Sequence, residues 1–159
     1  MAFLEKNLTL KRSLLPGAGK GLFAKADIPK GKIITQYKGS VHLWKDIKHL
    51  DGHNAYLFKI SNKVVLNAEK YLSSFARYAN DARGFSKITG LRNNAEYLVK
   101  KNECFIISIR KIHKGEEILV PYGKAYWDLM KKIHAEKNKK RRNNFYFQLY
   151  TSSGEKFIF

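Results

Sequence analysis

Gly115-Glu116-Glu117-Ile118-Leu119-Val120-Pro121-Tyr122-Gly123 is the stretch on which the fold turns. A glycine turn at His113-Lys114-Gly115-Glu116 feeds three consecutive aliphatic residues, and Pro121 stops them. That pattern predicts a short buried strand at Ile118-Leu119-Val120. Neighbours on a strand face opposite sides, so Glu116 and Glu117 do not make a paired-carboxylate site and are assigned to turn and surface. Just upstream, Cys104 to Ile109 is nearly all apolar and reads as a buried strand, preceded by a strand at Glu96 to Val99. Farther out, Tyr56 to Ile60 and Val64 to Leu66 flank the turn Ser61-Asn62-Lys63. Lys32 to Tyr37 and Leu8 to Ser13 are strand candidates, and Leu22-Phe23-Ala24 is a short apolar run. Leu43 to Gly52 is a surface segment or short helix, Tyr71 to Ala79 a short helix, and Asp81 to Asn94 a loop. Downstream, Tyr126 to about Lys140 is helical by propensity. Phe145 to Tyr150 and Phe157 to Phe159, on either side of Ser152-Ser153-Gly154, read as a C-terminal β-hairpin. Many short strands with glycine-rich turns indicate a mostly β fold.

The chain has 159 residues, which suits one domain burying roughly 70% of its unfolded surface. Hydrophobic residues make up 44% and aromatics 13%, enough for a core and too many for wholesale disorder. No apolar run approaches the ~20 residues that cross a bilayer, so no membrane is expected. The opening residues lack a signal peptide's apolar stretch, and one cysteine, Cys104, makes no disulfide framework. An intracellular protein is expected. The formal net charge is +18, from 31 Lys+Arg against 13 Asp+Glu. From Lys131 to Arg142 seven Lys/Arg stand against one acid, Glu136. Such a run attracts nucleic acid or other polyanions, or serves as a solvated face.

Single motifs decide little. Gly17-Ala18-Gly19-Lys20-Gly21 has the glycines of a phosphate loop without the Gly-Lys-Ser/Thr ending of a Walker motif. The five histidines and single cysteine offer no metal cluster, so no metal is expected. Ser73 and Ser74 have no elbow glycines. Tyr37, Tyr56, Tyr78, Tyr122 and Tyr126 sit at strand ends or beside loops, an ordinary place for an amphipathic ring taken singly.

Taken in order, however, four segments resemble the SET domain, the fold of protein-lysine methyltransferases. Gly19-Lys20-Gly21-Leu22-Phe23-Ala24 is similar to the family's opening G-x-G-L-F-A. Ile28-Pro29-Lys30-Gly31, Ile33-Ile34 and Tyr37-Lys38-Gly39 resemble I-x-x-G-x-x-I-x-x-Y-x-G. Leu66-Asn67-Ala68 and then Phe75 to Asn80 resemble I-D-A followed by N-x-A-R-F-I-N-H-S. Gly115 to Gly123 is close to G-E-E-L-x-x-x-Y-G, and Tyr126-Trp127 matches the aromatic pair of compact members. The likeness spans roughly residues 8 to 128. This chain differs in having Asn80-Asp81-Ala82 for Asn-His-Ser, Asn67 for Asp, and no cysteine-rich flanking segments.

The resemblance implies several small sheets with short helices and a knot-like C-terminal threading. It places the SET domain over residues 1–130, with 131–159 a basic helical segment and hairpin packed on or beside it. It implies methyl transfer from S-adenosylmethionine to a lysine side chain of a protein substrate, a histone among the candidates. The alternative is a catalytically weak SET-like module that binds chromatin or nucleic acid through its basic surface. Tyr122 takes the catalytic position and also touches cofactor, and Tyr37 lines the lysine site. Tyr56 walls the channel, and Val120 stands where members limit the degree of methylation. Lys20, Gly21 and Leu22 meet the cofactor largely through backbone; Arg77, Tyr78, Asn80 and Asp81 form its second segment; Trp127 stacks on adenine. The hairpin, with Phe145, Phe147, Phe157 and Phe159, is a candidate lid or, equally, an added sheet edge. A nuclear or chromatin-associated location follows from the same likeness, with Lys131 to Arg142 as a candidate DNA or nucleosome contact.

Overall fold

The computed structural model describes residues 3–85 and 87–152, with side chains as far as 142. It divides into two compact units, one ending at Tyr122 and one beginning at Gly123. In the first unit eight short strands form three antiparallel sheets. Strands β1 (Leu8–Arg12) and β2 (Lys20–Ala24) pair alone. Strands β3 (Ile33–Gln36), β7 (Ala95–Lys100) and β8 (Glu103–Ser108) form a sheet in the order β3-β8-β7. Strands β4 (Ser40–Leu43), β5 (Leu57–Lys59) and β6 (Val64–Asn67) form the third, in the order β4-β6-β5. A short helix α1 (Trp44–Ile47) and 3₁₀ turns, among them Phe75–Tyr78, fill the connections.

Local sequence accounts for these elements. β8 is the central strand of its sheet, and Cys104, Phe105, Ile106 and Ser108 are all buried there. It joins β7 through Lys101 and Asn102, both at positive φ (46° and 64°), the two-residue geometry that matches strand twist. Gly39 cannot carry a side chain, because an added Cβ would lie 2.8 Å from the backbone of Asn67. That close approach lets the turn after Tyr37 cross onto β6. One apolar core ties the sheets together, including Leu22, Ile34, Leu66, Ala76, Ile106, Ile118 and Val120.

The expected strand at Ile118–Val120 is fully buried but forms no ladder. Its backbone groups are divided among three neighbours. The Ile118 amide donates to the Leu22 carbonyl (2.7 Å), and the Val120 amide to the Asn80 carbonyl (2.9 Å). The Leu119 carbonyl accepts from the Asn94 and Ala95 amides (3.1 and 3.0 Å). The run is thus held between β2, residue 80 and the start of β7, which is the threaded arrangement. Burying three aliphatic side chains there contributes about 1.5–3 kcal/mol each.

The second unit is helix α2 (Lys124–Ser152). It begins two residues before the expected helix and runs through Phe145 to Tyr150, replacing the first arm of the expected hairpin. No Gly or Pro interrupts that span, and extending a formed helix adds a hydrogen bond per residue without new nucleation. The β preference of the aromatic run, which depends on context, yields to it. The second arm, Phe157 to Phe159, lies outside the described residues. The first unit ends at Tyr122, eight residues before the expected end of the domain at 130.

Candidate active site

The site is built where the segment after Phe75–Tyr78 meets Glu117 to Tyr122. Three consecutive residues each bond across this crossing. Ala79 accepts the Tyr122 hydroxyl on its carbonyl (2.9 Å). The Asn80 side-chain amide donates to the Lys20 carbonyl (3.1 Å) and to Glu117 Oε1 (3.2 Å). The Asp81 carboxylate accepts the Tyr122 amide on Oδ2 (2.8 Å), and the Arg83 amide and Asn93 side chain on Oδ1 (2.8 and 2.9 Å).

Glu117 is the second hub, and here the sequence expectation is corrected. Glu116 is a turn acid paired with Arg110 (2.9 Å), but Glu117 is only 2% exposed. Its carboxylate accepts from the Ser13 hydroxyl (2.7 Å), the Leu14 amide (2.8 Å) and Asn80. An added Cβ at Gly21 would come within 2.2 Å of Glu117 Oε1, so that glycine is required by the buried acid beneath it. The two acids split because neighbours on an extended run face opposite sides and only one face is solvated.

An aromatic wall stands beside Tyr122. The Tyr37 ring packs against Phe58 (centroids 5.6 Å) and edge-on to Tyr97 (6.1 Å), and Phe58 against Tyr97 (4.5 Å). The Tyr37 hydroxyl donates to the Tyr56 carbonyl (3.1 Å). Burial, and then the neighbouring Tyr122 and Tyr37 hydroxyls, the Cys104 thiol and the Asp81 carboxylate, raise the Tyr97 hydroxyl well above its ordinary pKa. Tyr97 is therefore a neutral phenol at any working pH. Burial also pushes the Cys104 thiol up to about 12, which leaves it without thiolate reactivity.

The Arg77 guanidinium carbon lies over the Tyr56 ring, 3.8 Å from its centroid, and the side chain reaches the Tyr78 hydroxyl (3.1 Å) and the Glu69 carbonyl (3.1 Å). Its Nε is buried without a hydrogen-bond partner. The Tyr78 hydroxyl donates to the Leu72 carbonyl (3.1 Å). Arg77 and Tyr78 thus stand with Tyr56, the residue expected to wall the channel.

Lys20, Gly21, Leu22, Asn80, Asp81 and Tyr122 are brought to one crossing, and Tyr37, Tyr56 and Arg77 to one aromatic cluster. Val120 is fully buried in the core beside them, its amide on Asn80. Trp127 belongs to the second unit, in the first turn of α2, with its ring edge-on to Tyr126 (5.1 Å). The sequence reading missed Glu117 as a buried group, and also Tyr97, Phe58, Asn93 and Asn94. Asn94, 2% exposed, clips the threaded run by donating to the Glu117 carbonyl (2.8 Å) and accepting the Leu119 amide (2.9 Å). The Asn93-Asn94 pair after a long polar loop was the available signal, since a doublet of Asn before a strand suits side-chain-to-backbone bonding.

Comparison with known proteins agrees with this architecture. The SET domain family pattern matches residues 19–123. Histone-lysine N-methyltransferase EZH2 of Chaetomium thermophilum is 28% identical over 142 residues, covering 80% of this chain and 9% of that protein. N-lysine methyltransferase KMT5A of Xenopus tropicalis is 25% identical over 126 residues, covering 72% of this chain and 36% of that protein. This chain therefore spans well under half the length of these curated relatives. The structure of a humanized mutant of the Chaetomium thermophilum Polycomb Repressive Complex 2, bound to the inhibitor GSK126, superposes with a TM-score of 0.60 at 22% identity. That superposition covers 78% of this chain and 16% of that one, and it bears on the fold. With the family pattern running from the glycine turn before β2 to the glycine after Tyr122, the chain belongs to the SET domain family.

Proposed function

We propose that this chain is a protein-lysine N-methyltransferase that uses S-adenosylmethionine. The observation that supports the reading best is the meeting of Tyr122, anchored at both its amide and its hydroxyl, with the Tyr37–Phe58–Tyr97 wall.

The residues at the crossing suit such a cofactor. Asp81 and Glu117 are buried carboxylates in a chain of net charge +18, and N–H and O–H donors of the protein hold them. Two buried acids at one crossing make a negative environment, fit for a ligand carrying a sulfonium and an ammonium. At Gly17 and Gly19 an added Cβ would meet nothing within 4 Å, so the loop leaves room beside its backbone. Lys20, Gly21, Leu22, Asn80, Asp81 and Tyr122 would hold the cofactor, with Arg77 and Tyr78 farther along that segment and Trp127 as the stacking ring. When bound, it supplies a methyl group made electrophilic by a positive sulfur.

The chain's own residues supply the rest. The attacking amine must be neutral, yet free lysine has a pKa near 10.4, and deprotonation at pH 7.4 costs about 4 kcal/mol. An apolar channel lowers that cost by desolvating the ammonium, and a positive neighbour lowers it further. Phe58, Tyr37, Tyr56 and Tyr97 form walls of the needed kind, and Tyr97 stays neutral. The Tyr37 and Tyr122 hydroxyls donate to carbonyls, so their oxygens retain lone pairs suited to accepting an amine hydrogen and aiming the nitrogen. No strong base is required. Val120, fully buried beside the crossing, leaves the degree of methylation to other groups of the channel.

The relatives named as histone-lysine methyltransferases direct attention to a histone substrate. Helix α2, basic and exposed from Lys137 to Arg142, suits contact with nucleosomal DNA while a tail enters the channel. A chromatin location belongs to the same reading. The test is transfer of labelled methyl from S-adenosylmethionine to free histones, nucleosomes and a panel of lysine peptides. Labelled methyl-lysine is expected, and no transfer to any acceptor by protein that binds the cofactor would reject the enzyme reading.

A further inference from the structure

Asp81 stands where the family pattern has histidine, and its side chain is turned to the protein. It is 3% exposed, and its two oxygens take three N–H groups: Tyr122, Arg83 and Asn93. We propose that Asp81 is a positioning residue that clamps the backbone of Tyr122, so that the tyrosine is fixed at its amide by residue 81 and at its hydroxyl by residue 79. This inference rests on the methyltransferase reading for its catalytic half and on geometry alone for the clamp.

The chemistry of the site selects a carboxylate. Three donors converge on one side chain, and an ionised carboxylate offers acceptors on both oxygens and no hydrogen. An asparagine turned to keep Oδ1 on the Tyr122 amide would aim its own NH₂ at the Arg83 amide and the Asn93 NH₂. Turned the other way, it would lose the Tyr122 amide. A neutral histidine accepts through one nitrogen only. The anion is offset by charge-assisted hydrogen bonds, which are shorter and stronger than neutral ones. The same segment is pinned on either side, by Asn80 to Lys20 and Glu117 and by the Val120 amide on the Asn80 carbonyl. Residues 79 to 81 therefore behave as a rigid jig, and the hydroxyl of Tyr122 is placed relative to the Asp81 carboxylate by a short, closed loop of bonds. Small displacements of a group that aligns reactants lower rate steeply, which is why a bond made to a backbone amide can govern turnover.

Two measurements test this. In the parent protein the Tyr122 amide, read by hydrogen exchange under NMR, must be strongly protected; exchange at the rate of an open loop would overturn the clamp without any variant. Asp81→Asn should raise that exchange at least about 10-fold while leaving the β7–β8 amides protected, as expected of a local opening. Methyl transfer is then measured in Asp81→Asn, Tyr122→Phe and the double variant. If Asp81 acts through the Tyr122 hydroxyl, its loss costs about 10-fold or more in kcat in the parent and little in the Tyr122→Phe background, the non-additivity of a coupled pair. Equal cost in both backgrounds would overturn the positioning role, since a merely structural residue would be felt equally in each. Absence of transfer by the parent protein would instead reject the enzyme reading, and with it the catalytic half, while amide exchange still decides the clamp.

Discussion

Tyr122→Phe removes one oxygen from a ring whose other contacts stay in place. In the fold that oxygen has a definite partner, the Ala79 carbonyl at 2.9 Å, and the Tyr122 amide remains on Asp81. The loss to stability is one hydrogen bond at a partly buried site, about 0.5–1.5 kcal/mol net. For a domain of this size that lowers the melting temperature by only a few degrees, on the scale of roughly 4 °C per kcal/mol. The loss to catalysis is of a different order. If the hydroxyl oxygen aims the amine, its removal should slow methyl transfer at least ~100-fold, about 2.7 kcal/mol of transition-state stabilisation. The two effects separate cleanly in paired measurements: initial rates with labelled S-adenosylmethionine and saturating acceptor, and thermal melts on the same preparations. A folded variant that turns over within a few-fold of the parent would refute the role given to Tyr122. A large drop in melting temperature would show that the Ala79 bond carries far more of the fold than one hydrogen bond.

Asn80→Ala deletes the amide that links Lys20 to Glu117, and Trp127→Ala deletes the proposed stacking ring. Each should weaken S-adenosylmethionine binding by ~1–3 kcal/mol in calorimetry, and unchanged affinity in both would place the cofactor elsewhere. Reversing Lys139, Lys140, Arg141 and Arg142 to Glu should weaken duplex DNA binding and flatten its salt dependence by several charge units, with methylation of a free peptide little changed; an identical salt slope would sink the DNA contact. Burial raises the Glu116 carboxyl pKa, but the Arg110 pair and the His113 amide outweigh it and hold it below the usual range. A depressed folded value contributes stability present above about pH 4.3 and lost as pH falls through the folded value, so Glu116→Gln should flatten the acid limb of melting temperature against pH.

What could be read from sequence was what local chemistry dictates. The apolar runs at Val64–Leu66 and Cys104–Ile109 announced strands, the second of them buried because nearly every residue is apolar, and β6 and β8 lie there. The order of glycines and tyrosines gave the family. The failures have a common cause: they depend on partners distant in sequence. Glu117 looks like its neighbour Glu116 until Ser13, more than a hundred residues upstream, is seen to bond to it. Ile118–Val120 looks like a sheet strand until its groups are seen divided between residues 22, 80 and 94. Phe145 to Tyr150 looks like a strand by composition, and α2 runs through it.

The same long-range placement gives the site its electrostatic character. Of the acids in this strongly basic chain, Asp81 and Glu117 are the two buried among the described residues, and both sit on the one crossing. An isolated buried carboxylate costs several kcal/mol of desolvation, which is tolerated only where donors meet it. Here each acid has three N–H or O–H donors from the protein. A general basic surface draws polyanions and repels cations, so acids buried at the crossing would favour the cationic methyl donor that the proposed function requires of a protein of net charge +18. Under the proposed function the two requirements are met in different places. The exposed lysines and arginines of α2 would meet phosphates, and the buried acids at the crossing would act on the cofactor through their field, not by contact. Removing either carboxylate should therefore weaken the cationic donor more than the neutral thioether product, a comparison that isolates charge from shape because the two ligands differ by one methyl group.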